Sequence, residues 1–238
     1  MTSDQRPRLA YHLTAGAGPT IVFLPGYASD MGGTKALALE AWAKANGRAF
    51  LRFDYGGCGA SEGAFEEQSL ADWREDALAM IDQAIEGPVV LVGSSMGGWI
   101  MLLAALARPD RVVAIVGIAA APDFTDWGFS QDEKFYILQH NKLERPNPYG
   151  PQPTPYTRRF WQSGEANRVM HAPIALDCPV RLIHGQRDRD VPWAQSLRLA
   201  DLLRSDDVQL VLLKDGDHRL SRESDIALLL RVVEDVLP

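Results

Sequence analysis

Three short segments carry residues that together could cleave an acyl bond: Gly93-Ser94-Ser95-Met96-Gly97, residues 185–192 with Asp188, and residues 214–218 with His218. A G-x-S-x-G segment between strand and helix forces its central residue into a sharp, strained turn, and small flanking residues keep it clear of both neighbours. Ser95 would then project from the top of a sheet. A serine hydroxyl is a weak nucleophile at neutral pH, so it needs a histidine to accept its proton and an acid to orient that histidine. His218 and Asp188 are the candidates for those roles. The five-residue pattern alone decides nothing, because Gly and Ser also build ordinary strand-to-helix loops.

The elements that must position these residues give the pattern its weight. Apolar runs at 89–92, 180–184 and 208–213 end just before the serine, the acid and the histidine. Upstream, residues 9–13 and 20–24 read as an opening pair of strands joined by turn signals at Gly16, Gly18 and Pro19. A helix is expected at 35–45 and a strand at 48–53. Over 70–86, Leu70, Trp73, Ala77, Met80, Ile81 and Ala84 recur at three- and four-residue spacing, the period of an amphipathic helix. Helices are expected again at 98–107, 194–204 and 225–236, and a strand at 112–118. Strands of continuous Val, Ile and Leu belong to a parallel sheet covered on both faces. The fold class is therefore α/β, a mostly parallel doubly wound sheet whose function sits at the carboxyl ends of its strands. The chain order Ser, Asp, His is that of the α/β-hydrolase fold.

Other acids and histidines compete for each role. Gly185, Asp188, Val191 and Pro192 fill the frame Gly-x-x-Asp-x-x-Val-Pro, in which hydrolases of this kind commonly place the acid. Asp190 is the alternative, or else a cap for the helix that follows. Asp215 and Asp217 read as solvated turn residues. His184 lies inside a strand and reads as a packed or hydrogen-bonded core histidine, while His12, His140 and His171 have no partner that the sequence names. An oxyanion needs backbone donors, normally from the residue after the nucleophile and from the loop after an early strand. Those are Met96 and, after Leu24-Pro25-Gly26, Tyr27. Asp54-Tyr55-Gly56-Gly57-Cys58-Gly59-Ala60-Ser61 is a glycine-rich turn after a strand, with neither a Walker lysine nor the dinucleotide spacing.

Composition narrows the class further. At 238 residues, 46% hydrophobic and 23% charged, the chain suits one domain over 1–238 rather than two. A net charge of -7 without a basic block argues against a nucleic-acid partner. Cys58 and Cys178 lack metal or disulfide spacing and read as small buried thiols of a reducing compartment. No metal or organic cofactor is implied. Residues 1–8 lack an apolar signal region and no run of 18 apolar residues occurs, so a cytoplasmic chain without integral membrane association is expected. Between 122 and 161 stand nine of the twenty aromatic residues, and five prolines fall between Pro146 and Pro155. An apolar yet proline-rich segment reads as an ordered excursion over the sheet, a lid or cap insertion at about 122–176, although aromatics also serve as plain packing.

Leu24-Pro25-Gly26, Ser29-Asp30-Met31, Gly33-Thr34-Lys35-Ala36-Leu37-Ala38-Leu39-Glu40, Arg52-Phe53-Asp54-Tyr55, Gly93-Ser94-Ser95-Met96-Gly97-Gly98-Trp99 and Asp217-His218-Arg219 together resemble the α/β-hydrolase domain-containing family. Its animal members are mitochondrial palmitoyl-protein thioesterases that also act as acyl-glucuronide esterases. The resemblance spans nearly the whole chain outside 122–176, and it implies Ser95, Asp188 and His218 as the triad. No transit peptide is seen, which suggests a bacterial or mature cytoplasmic form, and the lid segment matches poorly. The expectation is a serine acyl hydrolase cleaving thioesters or carboxylic esters through an acyl-enzyme, on small acyl substrates or S-acylated proteins, with an apolar acyl chain under the aromatic lid. A peptidase, a lactonase or a C–C bond hydrolase uses the same triad, and a ligand receptor without turnover uses the same scaffold.

Overall fold

Apolar strands and the helices that cover them alternate along the chain, and the computed structural model describes residues 7–237 of it. The N-terminal reading falls largely on residues 1–6, outside those described. Strands β1 (Tyr11–Thr14), β2 (Ala17–Leu24) and β3 (Arg48–Phe53) open the fold, with helix α1 (Thr34–Ala45) between the last two. Helix α2 (Leu70–Ala79), β4 (Val89–Ser94), α3 (Met96–Ala107) and β5 (Val112–Ile118) follow. An excursion then carries α4 (Phe124–Trp127), α5 (Gln131–His140), β6 (Lys142–Arg145), β7 (Thr154–Thr157) and α6 (Arg158–Ala166). The chain closes with β8 (Val180–Gly185), α7 (Ala194–Leu202), β9 (Val208–Leu213) and α8 (Glu223–Asp235). The 7-stranded sheet has the order β1-β3-β2-β4-β5-β8-β9. Every neighbouring pair in it is parallel except β1 with β3.

Both faces of the central strands are buried, which is why their sequences do not alternate with polar residues. Ile21, Phe23 and Val92 pack with Ala36, Leu39, Leu229 and Val233 from α1 and α8 on one side. Val22, Leu24 and Leu91 pack with Leu70, Trp73, Trp99 and Leu199 from α2, α3 and α7 on the other. The connection order reverses between β2 and β4, the crevice where such sheets bind ligands.

Two expectations about local structure are corrected. Residues 9–13 and 20–24 do not pair as a hairpin: β1 runs antiparallel to β3, Tyr11 opposite Phe53 and Thr14 opposite Phe50. The turn residues join two strands that β3 separates, so the local signal did not reveal the partner. The helix expected over 70–86 keeps α-helical geometry only to Ala79, then widens into a π-helical turn, Met80–Ala84. Its start follows from a capping box, Ser69 accepting from the Asp72 N–H while the Asp72 carboxylate accepts from the Ser69 N–H.

The excursion between β5 and β8 pairs β6 with β7 in antiparallel register. Ser130 with Glu133 caps α5 and Thr157 caps α6, so the segment carries its own helix signals. Its two ends are tied by Asp123, whose buried carboxylate accepts from the N–H groups of Val169 and Met170 at 2.8 Å each. Burial pushes the Asp123 carboxyl above its ordinary value, against those two hydrogen bonds.

Candidate active site

Ser95 follows β4 directly and sits at φ 55°, ψ -120°, a backbone conformation that costs energy for a residue with a side chain. The glycines around it have specific reasons. A Cβ on Gly97 would lie 2.0 Å from the Leu24 carbonyl oxygen, and one on Gly93 would lie 2.4 Å from that of Gly97. β2, β4 and α3 therefore approach closely enough to leave no room for a methyl group at either position. The turn is held by the Ser95 N–H donating to Ile118 O at 3.0 Å, and by Ser95 O accepting from Gly98 and Ala121.

His218, in the loop after β9, brings its Nε2 to 3.2 Å from Ser95 Oγ and its Nδ1 to 2.8 Å from Asp188 Oδ2. Asp188 stands in the turn after β8 with its side chain fully buried. Its Oδ1 accepts from the N–H groups of Asp190 and Val191 at 2.8 Å each, and its Oδ2 also faces His184 Nε2 at 3.0 Å. Burial by itself would raise this carboxyl, but hydrogen bonds from His184 and His218 reverse that and hold it well below the usual carboxylate range. The three sequence candidates thus meet at one point, although each comes from a different strand end.

Asp190, the rival acid, is exposed and takes the hydroxyl of Tyr149 rather than His218. It does not cap α7, whose N-terminal flanking residue is Trp193 with no side-chain cap. Asp215 and Asp217 both lie in the turn after β9, Asp215 pairing with Arg222 at 2.7 Å and Asp217 accepting from the Leu220 N–H. Gly26 abuts the nucleophile, since a Cβ there would stand 3.3 Å from Ser95 Cβ. The N–H groups of Tyr27 and Met96, the expected oxyanion donors, have no protein acceptor among the described residues. The Asp54 turn is structural, since Asp54 accepts from the N–H groups of Met31 and Ala60 and so ties the turn to the loop after β2.

A cavity of about 220 Å³ opens beside Ser95 and His218, lined also by Gly26, Tyr27, Lys35, Tyr149 and Arg219. Lys35 Nζ donates to the Arg219 carbonyl at 2.5 Å, and burial followed by the nearby Arg219 charge lowers its ammonium to about 8. Three aromatics of the excursion gather on Tyr27, which itself lines the cavity. Tyr156, Phe124 and Phe160 close on Tyr27, with ring centroids 4.9, 6.1 and 4.7 Å away, and the Tyr27 hydroxyl donates to Pro155 O at 2.6 Å. Of the excursion's own aromatics only Tyr149 lines the Ser95 cavity. A larger cavity of about 660 Å³ lies at the opposite end of the strands, beside Pro19, Pro88 and Pro179, and holds no comparable set of groups.

Sequence reasoning placed His184 in the core, where it is, with no exposed surface. It missed the bond to Asp188. The signal was the spacing of four residues across a turn, which a strand assignment for His184 does not translate into contact. Tyr149 was also missed as a partner of Asp190.

Comparisons with known proteins show the family to which the chain belongs. Residues 17–137 match the family model described as serine aminopeptidase, S33. The mitochondrial palmitoyl-protein thioesterase ABHD10 of Homo sapiens is 43% identical over 97% of this chain and 77% of its own length. The structure of α/β-hydrolase domain-containing protein 10 from mouse superimposes with a TM-score of 0.91 at 41% identity, covering 99% of this chain and 96% of that one. A putative hydrolase from Agrobacterium vitis S4 gives 0.94 at 38% identity, covering 100% and 96%. The thioesterases are described as mitochondrial, so the cytoplasmic expectation draws no support from them. Sheet order, catalytic-type geometry and full-length similarity converge: the chain is a serine hydrolase and belongs to the α/β-hydrolase family of the ABHD10 proteins.

Proposed function

We propose that the chain hydrolyses acyl thioesters and carboxylic esters, S-acylated proteins among them, through an acyl-enzyme on Ser95. The observation that carries this reading is the position of His218, within hydrogen-bond reach of Ser95 Oγ on one nitrogen and Asp188 on the other. Ser95 Oγ attacks the carbonyl carbon as its proton passes to His218 Nε2, and the oxyanion is met by the N–H groups of Met96 and Tyr27. Asp188 holds the imidazolium. The tetrahedral intermediate collapses, the thiol or alcohol leaves with the proton from His218, and the acyl group stays on Ser95 as an ester. Water then gives a proton to His218 and its oxygen to the acyl carbon. Collapse returns the proton to Ser95 and releases the carboxylic acid.

The preference for a long acyl chain rests on the aromatic cluster over Tyr27 and not on the volume of the cavity. At about 220 Å³ the cavity is smaller than the roughly 300 Å³ at which ligand pockets usually begin. Residues 122–176 act as a lid in this reading, and a long acyl chain enters by parting the aromatic cluster on Tyr27. The test is labelling by a fluorophosphonate probe in the wild type and in Ser95→Ala, followed by turnover of matched thioesters and oxygen esters from acetyl to palmitoyl. Loss of labelling in Ser95→Ala and turnover of long thioesters are expected. Labelling that persists without Ser95 would overturn the assignment, and turnover confined to acetyl esters would overturn the acyl preference.

A further inference from the structure

The carboxylate of Asp188 serves two imidazoles. His184 Nε2 lies 3.0 Å from Asp188 Oδ2 and 3.1 Å from the Val191 carbonyl oxygen, while His184 Nδ1 lies 2.7 Å from Ser196 Oγ. Two acceptors in front of Nε2 require the proton there, so in the neutral ring Nδ1 accepts the Ser196 hydroxyl proton. The ring is fully buried and Ser196 is 1% exposed, so water does not compete for either bond. Four donors then surround Asp188: the Asp190 and Val191 N–H groups on Oδ1, and His184 and His218 on Oδ2.

We infer that His184, held in one tautomer by Ser196, is a positioning residue that fixes Asp188 Oδ2 against His218. The inference rests on the proposed triad. A carboxylate oxygen bound on both sides cannot rotate away from His218, and a second donor on that oxygen weakens it as an acceptor for the imidazolium formed during catalysis. His184 comes from β8 and Ser196 from α7, so the support is built on regular elements, whereas Asp188 and His218 sit in loops.

Removing the His184 donor therefore has two separable effects. Orientation is lost, which lowers kcat with little change in KM. The freed lone pair binds the His218 imidazolium more strongly, which moves the acid limb of the kcat/KM profile to higher pH. Other charged or titratable groups face this pair: Asp190, whose carboxylate lies within 4.8 Å of the Asp188 carboxylate and the His218 ring, Tyr149, which binds Asp190, and Lys35 and Arg219, which line the same cavity as His218. Ser95, from the turn before α3, and Ser196, from α7, complete the surroundings. None of these groups is altered by substituting His184.

The experiment compares His184→Leu, His184→Gln and Ser196→Ala by kinetics across pH and by NMR titration of the His218 ring. In His184→Leu, kcat should fall about ten- to a hundredfold, the worth of one hydrogen bond to a charged group, and the acid limb should rise. His184→Gln, which restores an N–H donor at the same reach, should recover most of both. Ser196→Ala, which keeps the ring, should show a smaller loss with the same direction of shift, and it carries the test if His184→Leu does not fold. Unchanged pH profiles and His218 titration in folded variants, or Gln no better than Leu, would overturn the inference. Because the NMR titration needs no turnover, a shift in an inactive wild type would leave the inference standing and defeat the proposed function instead.

Discussion

The ring of Tyr27 lies face to face with that of Tyr156, centroids 4.9 Å apart and planes 8° from parallel. Tyr27 belongs to the loop beside Ser95 and Tyr156 to β7 of the excursion, so one stacking contact joins that loop to the excursion. Replacing Tyr156 by Ala removes that contact and opens room beside Phe124 and Phe160. Hydrolysis of long acyl thioesters should then change by several-fold in KM while acetyl esters stay nearly unaffected, aromatic pairs being worth about 0.5–1.5 kcal/mol beyond burial. Equal effects on both substrates would show that the cluster serves folding alone.

Asp188→Asn and Asp190→Asn separate the two acids by chemistry rather than by proximity. All four groups around the Asp188 carboxylate are donors, so in Asp188→Asn the new amide must aim its NH₂ at a donor whichever way it turns. A kcat loss of about 10⁴ is the order expected when the histidine is left in the wrong tautomer. Asp190 holds only the Tyr149 hydroxyl and its own backbone contact, so its variant should lose no more than about threefold by the scale of an exposed hydrogen bond. Steady-state kinetics on one thioester decides between them.

Glu40 is a buried acid outside the site with two cationic partners. Its carboxylate, 7% exposed, meets Arg52 at 2.9 Å and Lys44 at 3.0 Å. Burial raises the Glu40 carboxyl, but hydrogen bonds from Lys44 and Arg52 outweigh it and the net direction is downward. Glu40→Gln leaves the Arg52 guanidinium, 11% exposed, without its charge partner, and should cost about 3 kcal/mol in urea unfolding at pH 7. A folded value below the unfolded one means that the stabilisation is present above the ordinary glutamate value of about 4.3 and lost as pH falls below it. The gap between wild type and variant should therefore narrow below about pH 4.

Cys58 lies in the turn after β3 and is buried, and that burial, with Asp54 and Asp76 nearby, pushes its thiol up to about 12. A thiol that far from ionisation is a poor nucleophile. Iodoacetamide at about pH 7.5 should leave Cys58 unmodified in the folded protein and label it in urea. Mass spectrometry of the two samples is the check, and rapid labelling of the native chain would contradict it.

The sequence by itself determined the elements and the chemistry they carry. Val, Ile and Leu runs marked the central strands β4 and β5, buried on both faces, and β3, β5 and β9 fall on the expected residues although β9 is an edge strand with no fully buried residue. The Gly93 to Gly97 turn was legible because its constraint is local: a strained φ and no space for a methyl group. Tertiary structure decided the rest. β1 was free to seek any edge until β3 offered it one. Asp188 and Asp190 are two residues apart with identical chemistry, and only the direction of the turn sends one to His218 and the other to Tyr149. His184 reaches Asp188, and the aromatics of the excursion reach Tyr27, through contacts set by how loops from separate strand ends are aimed. Hydrogen-bond partners in loops depend on directions and distances of a few ångströms across the fold, and spacing along the chain does not carry that information.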